Sequence, residues 1–219
     1  MLPNDFPPWN TVYNTYARWS KRGDFEIIHN ALRDSVRQME GRLSEPTAGI
    51  MDSQTAKGSV QSEGAGFDAA KKTKGRKRHV LIDTLGLLLV VLVTSGNVQD
   101  RDAVRPIVHR AAMLHSNMTK IWADGGYQGD RVRKTGHESG IDIEIVKRSD
   151  DMSGFVVLPR RWVVERTFGW LERCRIFSRE YERTETSSKS NVFIAMSALM
   201  LRRLAGEAQG RFPGTSAVA

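Results

Sequence analysis

The chain has 219 residues, 40% of them hydrophobic, and a formal net charge of +8. That is enough length for one sizeable core, too much apolar content for a disordered chain, and a charge balance that favours a polyanionic partner such as nucleic acid. The single cysteine, Cys174, excludes a disulfide framework and a thiolate zinc site and fits a reducing, cytoplasmic setting.

The start, MLPNDFPPWN, lacks the basic and apolar regions of a signal peptide. Residues 1–45 read as a helical hairpin after a Pro-rich lead. Trp9, Val12, Tyr13, Tyr16 and Trp19 recur at helical spacing, as do Phe25, Ile28, Leu32, Val36 and Met39. Gly23 and Asp24 punctuate the two, with Asp24 the expected N-cap. The Trp and Tyr face is expected to be core.

AGIMDSQTA (48–56) reads as a strand and GSVQSEGAGFD as a loop. KKTKGRKRH (71–79) follows, with six cationic residues in nine positions. VLIDT (80–84), a turn at Leu85-Gly86 and LLLVVLVTSG (87–96) make an antiparallel hairpin. This most apolar run is shorter than the ~20 residues a membrane helix needs. Asp100 is placed to cap a helix reaching about Leu114. A strand over 120–124, a polar helix over 129–139 and a strand over 141–148 come next. SDDMSG is a linker, and the last third is helical over 159–177 and 191–204, with a frayed tail from 207. The order predicts an α/β fold: a mixed sheet covered by helices.

WADGGYQG (122–129) places Asp124 at the mouth of a strand, beside two glycines that leave open backbone. Asp52 lies inside the first strand, on the face shared by Ile50 and Gln54. A charged side chain there needs a cation, a hydrogen-bond cluster or a metal. Hard divalent cations bind carboxylate oxygens, and two strand-borne carboxylates at one sheet edge suit them. A third ligand is expected from PRRWVVERTFGWLERC. On a helical wheel Arg161, Trp162, Phe168, Gly169 and Glu172 surround Glu165, and apolar residues on more than one side predict a buried helix. Taken singly, each acid has a plain structural explanation: Asp52 as a satisfied strand residue, Asp124 as an Asp-Gly turn former, Glu165 as an ion-pair partner of Arg161 or Arg166. Three together, on two strands and a helix of a basic α/β chain, point to a site.

DFPPWNTVYNTYARW, IMDSQTAK, KKTKGRKRHVLIDTLGLLLVVLVTSGNVQDRDA, WADGGYQG and RRWVVERTFGWLERCRIFSREYE together resemble a DDE-type insertion-sequence transposase of the insertion sequence five family, over about residues 6–206. The resemblance implies a ribonuclease-H-like catalytic domain (46–206) after a partial N-terminal helical DNA-binding segment (1–45), with residues 207–219 a disordered tail. It implies Asp52, Asp124 and Glu165 as catalytic residues and ligands of Mg²⁺ or Mn²⁺, two ions ~3.5–4 Å apart. The implied activity is DNA cleavage at the element's ends followed by strand transfer into target DNA. The implied setting is the bacterial cytoplasm at the nucleoid, with no membrane. The rival readings are a hydrolytic nuclease of the same fold and an inactive DNA-binding relic.

The family helix motif R-x3-E-x6-K is met by Arg161, itself an expected phosphate contact, and Glu165, but Glu172 stands where Lys is usual, leaving Arg173 or Arg175 to contact DNA in its place. Asp83 is read as structural or accessory. Lys71, Lys72, Lys74, Arg76, Lys77, Arg78 and His79 are expected on the phosphate backbone of double-stranded DNA. Pairing of two element ends implies a homodimer or higher oligomer. The match begins partway through the family's N-terminal region, so that region is expected to be incomplete here.

Overall fold

The computed structural model describes residues 3–59, 62–146 and 159–206. Helices α1 (Trp9–Arg22) and α2 (Asp24–Met39) lead into strand β1 (Ala48–Lys57), then β2 (Gly66–Asp68), β3 (Thr73–Asp83) and β4 (Leu88–Ser95). Helix α3 (Asp100–Leu114), strand β5 (Lys120–Ala123), helix α4 (Asp130–Ser139) and strand β6 (Asp142–Ile145) follow. Helices α5 (Pro159–Glu172) and α6 (Glu185–Leu204) close the described chain.

The sheet is mixed, in the order β2-β3-β1-β5-β6, with β4 also paired to β3. β1 is antiparallel to β3 and parallel to β5, and β5 is parallel to β6. Two core layers result from the two-residue strand period. Met51, Leu81 and Ile121 face Val104, Ile107 and Val108 of α3. Ile50, Val80 and Ile82 face Val164 and Phe168 of α5 and Val192, Phe193 and Met196 of α6. This is the α/β mixed sheet flanked by helices that the element order predicts. Helix α2 lies against α6, where Val36 and Met200 pack with Leu87.

Several local expectations are corrected. The strand expected from Val80 begins earlier: β3 starts at Thr73, so most of the cationic run lies within the sheet. What permits this is Gly75. A β-carbon there would lie 1.9 Å from the Ala56 carbonyl oxygen, so only glycine lets β3 pass β1 at that point. Asp24 begins α2 but makes no side-chain cap, and Asp100 likewise opens α3 without capping it. α1 has no buried residue; Trp9 is 71% and Tyr13 59% exposed. The helix meets the rest through Tyr16, which donates to the Ser187 carbonyl and sits against Phe25.

Asp83 is structural. Its Oδ1 accepts the Leu85 and Leu87 amides at 2.9 and 2.8 Å, closing the β3–β4 turn. Its Oδ2 pairs with buried Arg37 and so ties that turn to α2. Helix α5 is pinned over the same turn: Thr167 Oγ1 donates to the Gly86 carbonyl at 2.9 Å and Arg166 to the Leu85 carbonyl at 3.0 Å. The Arg166 guanidinium is held between the Trp162 and Trp170 rings. The tail expected from residue 207 and the linker at 149–154 lie outside the described residues.

Candidate active site

β1 and β5 run parallel with Ile50 beside Trp122 and Met51 beside Ala123. Continuing that register by one residue puts Asp52 beside Asp124, where β5 ends. Both are half-buried. Together with Ile50, Trp122, Val146 and Val164 they line a narrow crevice of about 10 Å³, room for about one water-sized group. Asp52 Oδ1 accepts its neighbour Ser53's amide at 2.7 Å, and Asp124 Oδ1 accepts the Gly126 amide at 2.9 Å. The second bond turns the chain sharply after β5 and presents the carboxylate at the strand mouth, as the Asp-Gly sequence predicts.

Glu165 sits on α5 next to Val164, whose side chain lines the cleft. It is exposed, not buried, because the buried stripe of α5 is Val164, Thr167, Phe168 and Leu171. The helix is oriented at its far end by Glu172, whose Oε1 accepts from Gln54 Nε2 at 2.6 Å. Gln54 and Asp52 are two residues apart on one face of β1, and Glu165 and Glu172 are seven apart on one side of α5. The helix carrying the third acid therefore lies along the strand carrying the first.

The donor chemistry suits a hard divalent cation: carboxylate oxygens on adjacent strands, opening into one cleft. The three acids do not, however, close around one point. Among the described residues no group of three His, Cys, Asp or Glu side chains is arranged to hold an ion.

The cationic run divides. Lys71, Lys72 and Lys74 are exposed. Arg76, Lys77, Arg78 and His79 are buried in β3 and have partners within the fold, so they present no surface to a phosphate. Arg78 bonds Glu180 at 2.8 Å and stacks on Phe177. Arg76 donates to the carbonyls of Glu63, Glu182 and Arg183. Lys77 lies between Asp68 and Asp100, at 3.4 and 3.2 Å. His79 contacts Thr94, and burial holds its pKa down at about 4, so it is a neutral ring rather than a phosphate contact. Arg173 and Arg175 are exposed beyond the end of α5. The Arg161 side chain lies outside the described residues.

Residues on the other face of the sheet were not legible as part of the site. Ser53 Oγ donates to Asp100 Oδ1 at 2.8 Å, and Tyr127 lies fully buried beneath the Asp124 turn. The only signal for them was period: Ser53 alternates with Asp52, and Tyr127 follows the glycine pair.

A mixed α/β sheet with acids on adjacent parallel strands and a third acid on the covering helix is the layout expected of a DDE-type domain. The chain belongs to the transposase DDE domain family, whose model matches residues 43–201. Over 116 residues it is 33% identical to a Burkholderia cepacia protein named "Putative transposase for insertion sequence element IS402". That match covers 50% of this chain, and the chain spans about half the length of this relative, 54%. Distant likenesses among solved structures include the catalytic core domain of BIV integrase, at TM-score 0.43 and 14% identity over 77% of this chain and 86% of that one. Another is a chain of the simian T-cell lymphotropic virus intasome in complex with the PP2A regulatory subunit B56 gamma, at TM-score 0.43 and 15% identity over 80% and 59%. Among the described residues no helix is long and apolar enough to cross a membrane.

Proposed function

We propose that this chain is an insertion-sequence transposase of the insertion sequence five group. It cuts DNA at the ends of the element and joins the freed 3′-hydroxyl to target DNA, with Asp52, Asp124 and Glu165 as its catalytic acids and Mg²⁺ or Mn²⁺ as cofactor. The observation that carries this reading is that Asp52 and Asp124, each one residue past the paired Met51 and Ala123, line one crevice with Val164 of α5 on its wall.

In this reading Asp52 and Asp124 would hold the ions, and Glu165, exposed on α5, would have to approach them from the overlying helix. A divalent cation bound there lowers the pKa of an attacking water or 3′-hydroxyl and stabilises the leaving oxygen. The protein's own part is positional. The Asp124 turn fixes one carboxylate, β1 fixes the other, and the Gln54–Glu172 bond and the Thr167 and Arg166 contacts orient the helix. Phosphates are taken by Lys71, Lys72 and Lys74 and by Arg173 and Arg175. Both groups lie toward the end of the sheet where β1 finishes beside the start of β3. There the Lys57 carbonyl accepts the Glu180 amide at 2.9 Å, and Lys57 pairs with Gly75. The substrate is double-stranded DNA, the working form is a dimer or larger because two ends must meet, and the setting is the cytoplasm at the nucleoid. Residues 1–45 serve as a DNA-binding segment.

The test is a strand-transfer assay with pre-cut element ends and Mn²⁺. The wild type should yield products joined to target DNA. Asp52→Asn and Asp124→Ala should yield none while DNA affinity survives. Hydrolysed ends without joined products would identify a nuclease of the same fold. No reaction by the wild type would favour a DNA-binding relic, a reading that Glu172 in the usual Lys place supports.

A further inference from the structure

Behind the Asp52–Asp124 pair lies a second rank of polar groups, outside the roles assigned above. Tyr127 is fully buried, and its hydroxyl has no hydrogen-bond partner among the described residues. Burial first, then the charges of Asp100, Asp52 and Asp124, push the phenol well above its ordinary pKa, with Ser53 pulling slightly the other way without reaching hydrogen-bond geometry. It is therefore a neutral donor set among three carboxylates. A buried donor left unmade is costly, and that cost is recovered when an acceptor arrives.

Asp100 is asymmetrically held. Its Oδ1 takes Ser53 Oγ at 2.8 Å and Lys77 Nζ at 3.2 Å, and Lys77 is itself fixed by the Val98 carbonyl at 3.0 Å. The other oxygen, Oδ2, is turned to the Asp124 loop. A β-carbon on Gly126 would lie 3.3 Å from Asp100 Oδ2 and 3.1 Å from Asp124 Oδ1. One small gap, kept open by a glycine, thus separates the two carboxylates.

We propose that Tyr127 and Asp100 are positioning residues for a divalent cation bound at Asp52 and Asp124. The Tyr127 hydroxyl donates to a carboxylate oxygen or ordered water of the loaded site, and the Asp100 carboxylate accepts from water there and adds negative charge. Such outer partners commonly contribute 10- to 100-fold in metal affinity. The proposal rests on the assignment of Asp52 and Asp124 as the ion's ligands, and the test separates the two.

Mn²⁺ binding to the full chain, without DNA, is followed by electron paramagnetic resonance for wild type, Asp52→Asn, Asp100→Asn, Asp100→Glu and Tyr127→Phe. Thermal unfolding of each metal-free protein is measured alongside. Expected results are loss of binding in Asp52→Asn, about tenfold weaker binding in Tyr127→Phe and Asp100→Asn, and partial recovery in Asp100→Glu. Metal-free Tyr127→Phe should melt at or above the wild-type temperature, because an unpartnered buried hydroxyl has been removed. Should Asp100→Asn fail to fold, Tyr127→Phe decides alone. Wild-type affinity in Tyr127→Phe and Asp100→Asn, with binding lost in Asp52→Asn, overturns the proposal and leaves the ligand pair standing. Wild-type affinity in Asp52→Asn removes the ligand assignment and the proposal with it. Loss of both metal-free stability and affinity in Tyr127→Phe marks a packing role and also overturns it.

Discussion

Gln54 donates a 2.6 Å hydrogen bond to Glu172, and through that bond the strand bearing Asp52 holds the helix bearing Glu165. The bond is exposed, so its direct contribution to stability is small, on the order of 1 kcal/mol or less. Its effect on the site is geometric. Gln54→Ala should shift the thermal midpoint by only a few degrees yet lower strand transfer several-fold at saturating DNA, because α5 loses its register along β1. Equal losses in DNA affinity and turnover would deny this. Glu172→Lys is the informative partner substitution. The Gln54 Oε1 atom is buried without a hydrogen-bond partner, and an ammonium at 172 can donate to it. This variant should fold, bind DNA more tightly and steepen the salt dependence by about one charge. An unchanged salt slope would remove position 172 from the DNA track.

The two halves of the cationic run should respond in opposite ways. Replacing Lys71, Lys72 and Lys74 with Ala touches only exposed side chains, so the urea midpoint should stay put while the log–log slope of DNA affinity against salt flattens by roughly two to three. Arg78→Ala leaves Glu180 as a buried carboxylate with its strongest partner gone. That should cost about 3–5 kcal/mol of stability. A stable Arg78→Ala protein whose DNA binding alone is weakened would show that β3 does present this charge to DNA.

Much of the architecture was readable because apolar periodicity reports which side of an element is covered. Ile50, Val80 and Ile82 against Met51 and Leu81 gave the two-faced sheet, and the Asp-Gly pair marked the end of β5. Charge misled where tertiary pairing overrode it. KKTKGRKRH reads as solvated by composition, yet Glu180 and Asp100, distant in sequence, and Asp68 on the adjoining β2 draw its second half into the interior. Nothing local in the run announces those partners. Gly75 was the one internal hint, since a glycine amid cations has no solvent role, and its close approach to Ala56 is what the strand pairing needs. On α5 the wheel predicted a buried Glu165, and the residue is exposed. Trp162 and Trp170 sandwich the Arg166 guanidinium, and Val163, Trp170 and Cys174 pack half-buried against the core, while the Glu165 side stays open. Asp100 looked like a cap because it opens a helix. Its carboxylate was claimed by Ser53 and Lys77 across the sheet.

Acid should destabilise this protein well before its carboxylates titrate. His29 and His79 are both fully buried and held at about 4, against an ordinary 6.5. Burial is the main cause in each; the Asn30 contact opposes it at His29, and the Asp100 charge opposes it at His79. Between about pH 6.5 and 4 the unfolded chain binds protons that the folded chain refuses. Stability therefore rises with pH across that window and is lost as pH falls through it, by up to about 3 kcal/mol per histidine. Asp68 adds to the loss only lower down. Burial alone would raise its pKa, but the Thr55 hydroxyl, the Lys71 amide and Lys77 bring it below the usual carboxylate range. Urea midpoints measured at steps from pH 7 to pH 4.5 should decline steadily, and the His29→Gln, His79→Asn double variant should decline less. A flat wild-type profile across the window, or a double variant that falls as steeply, would mean that neither ring is kept neutral by the fold.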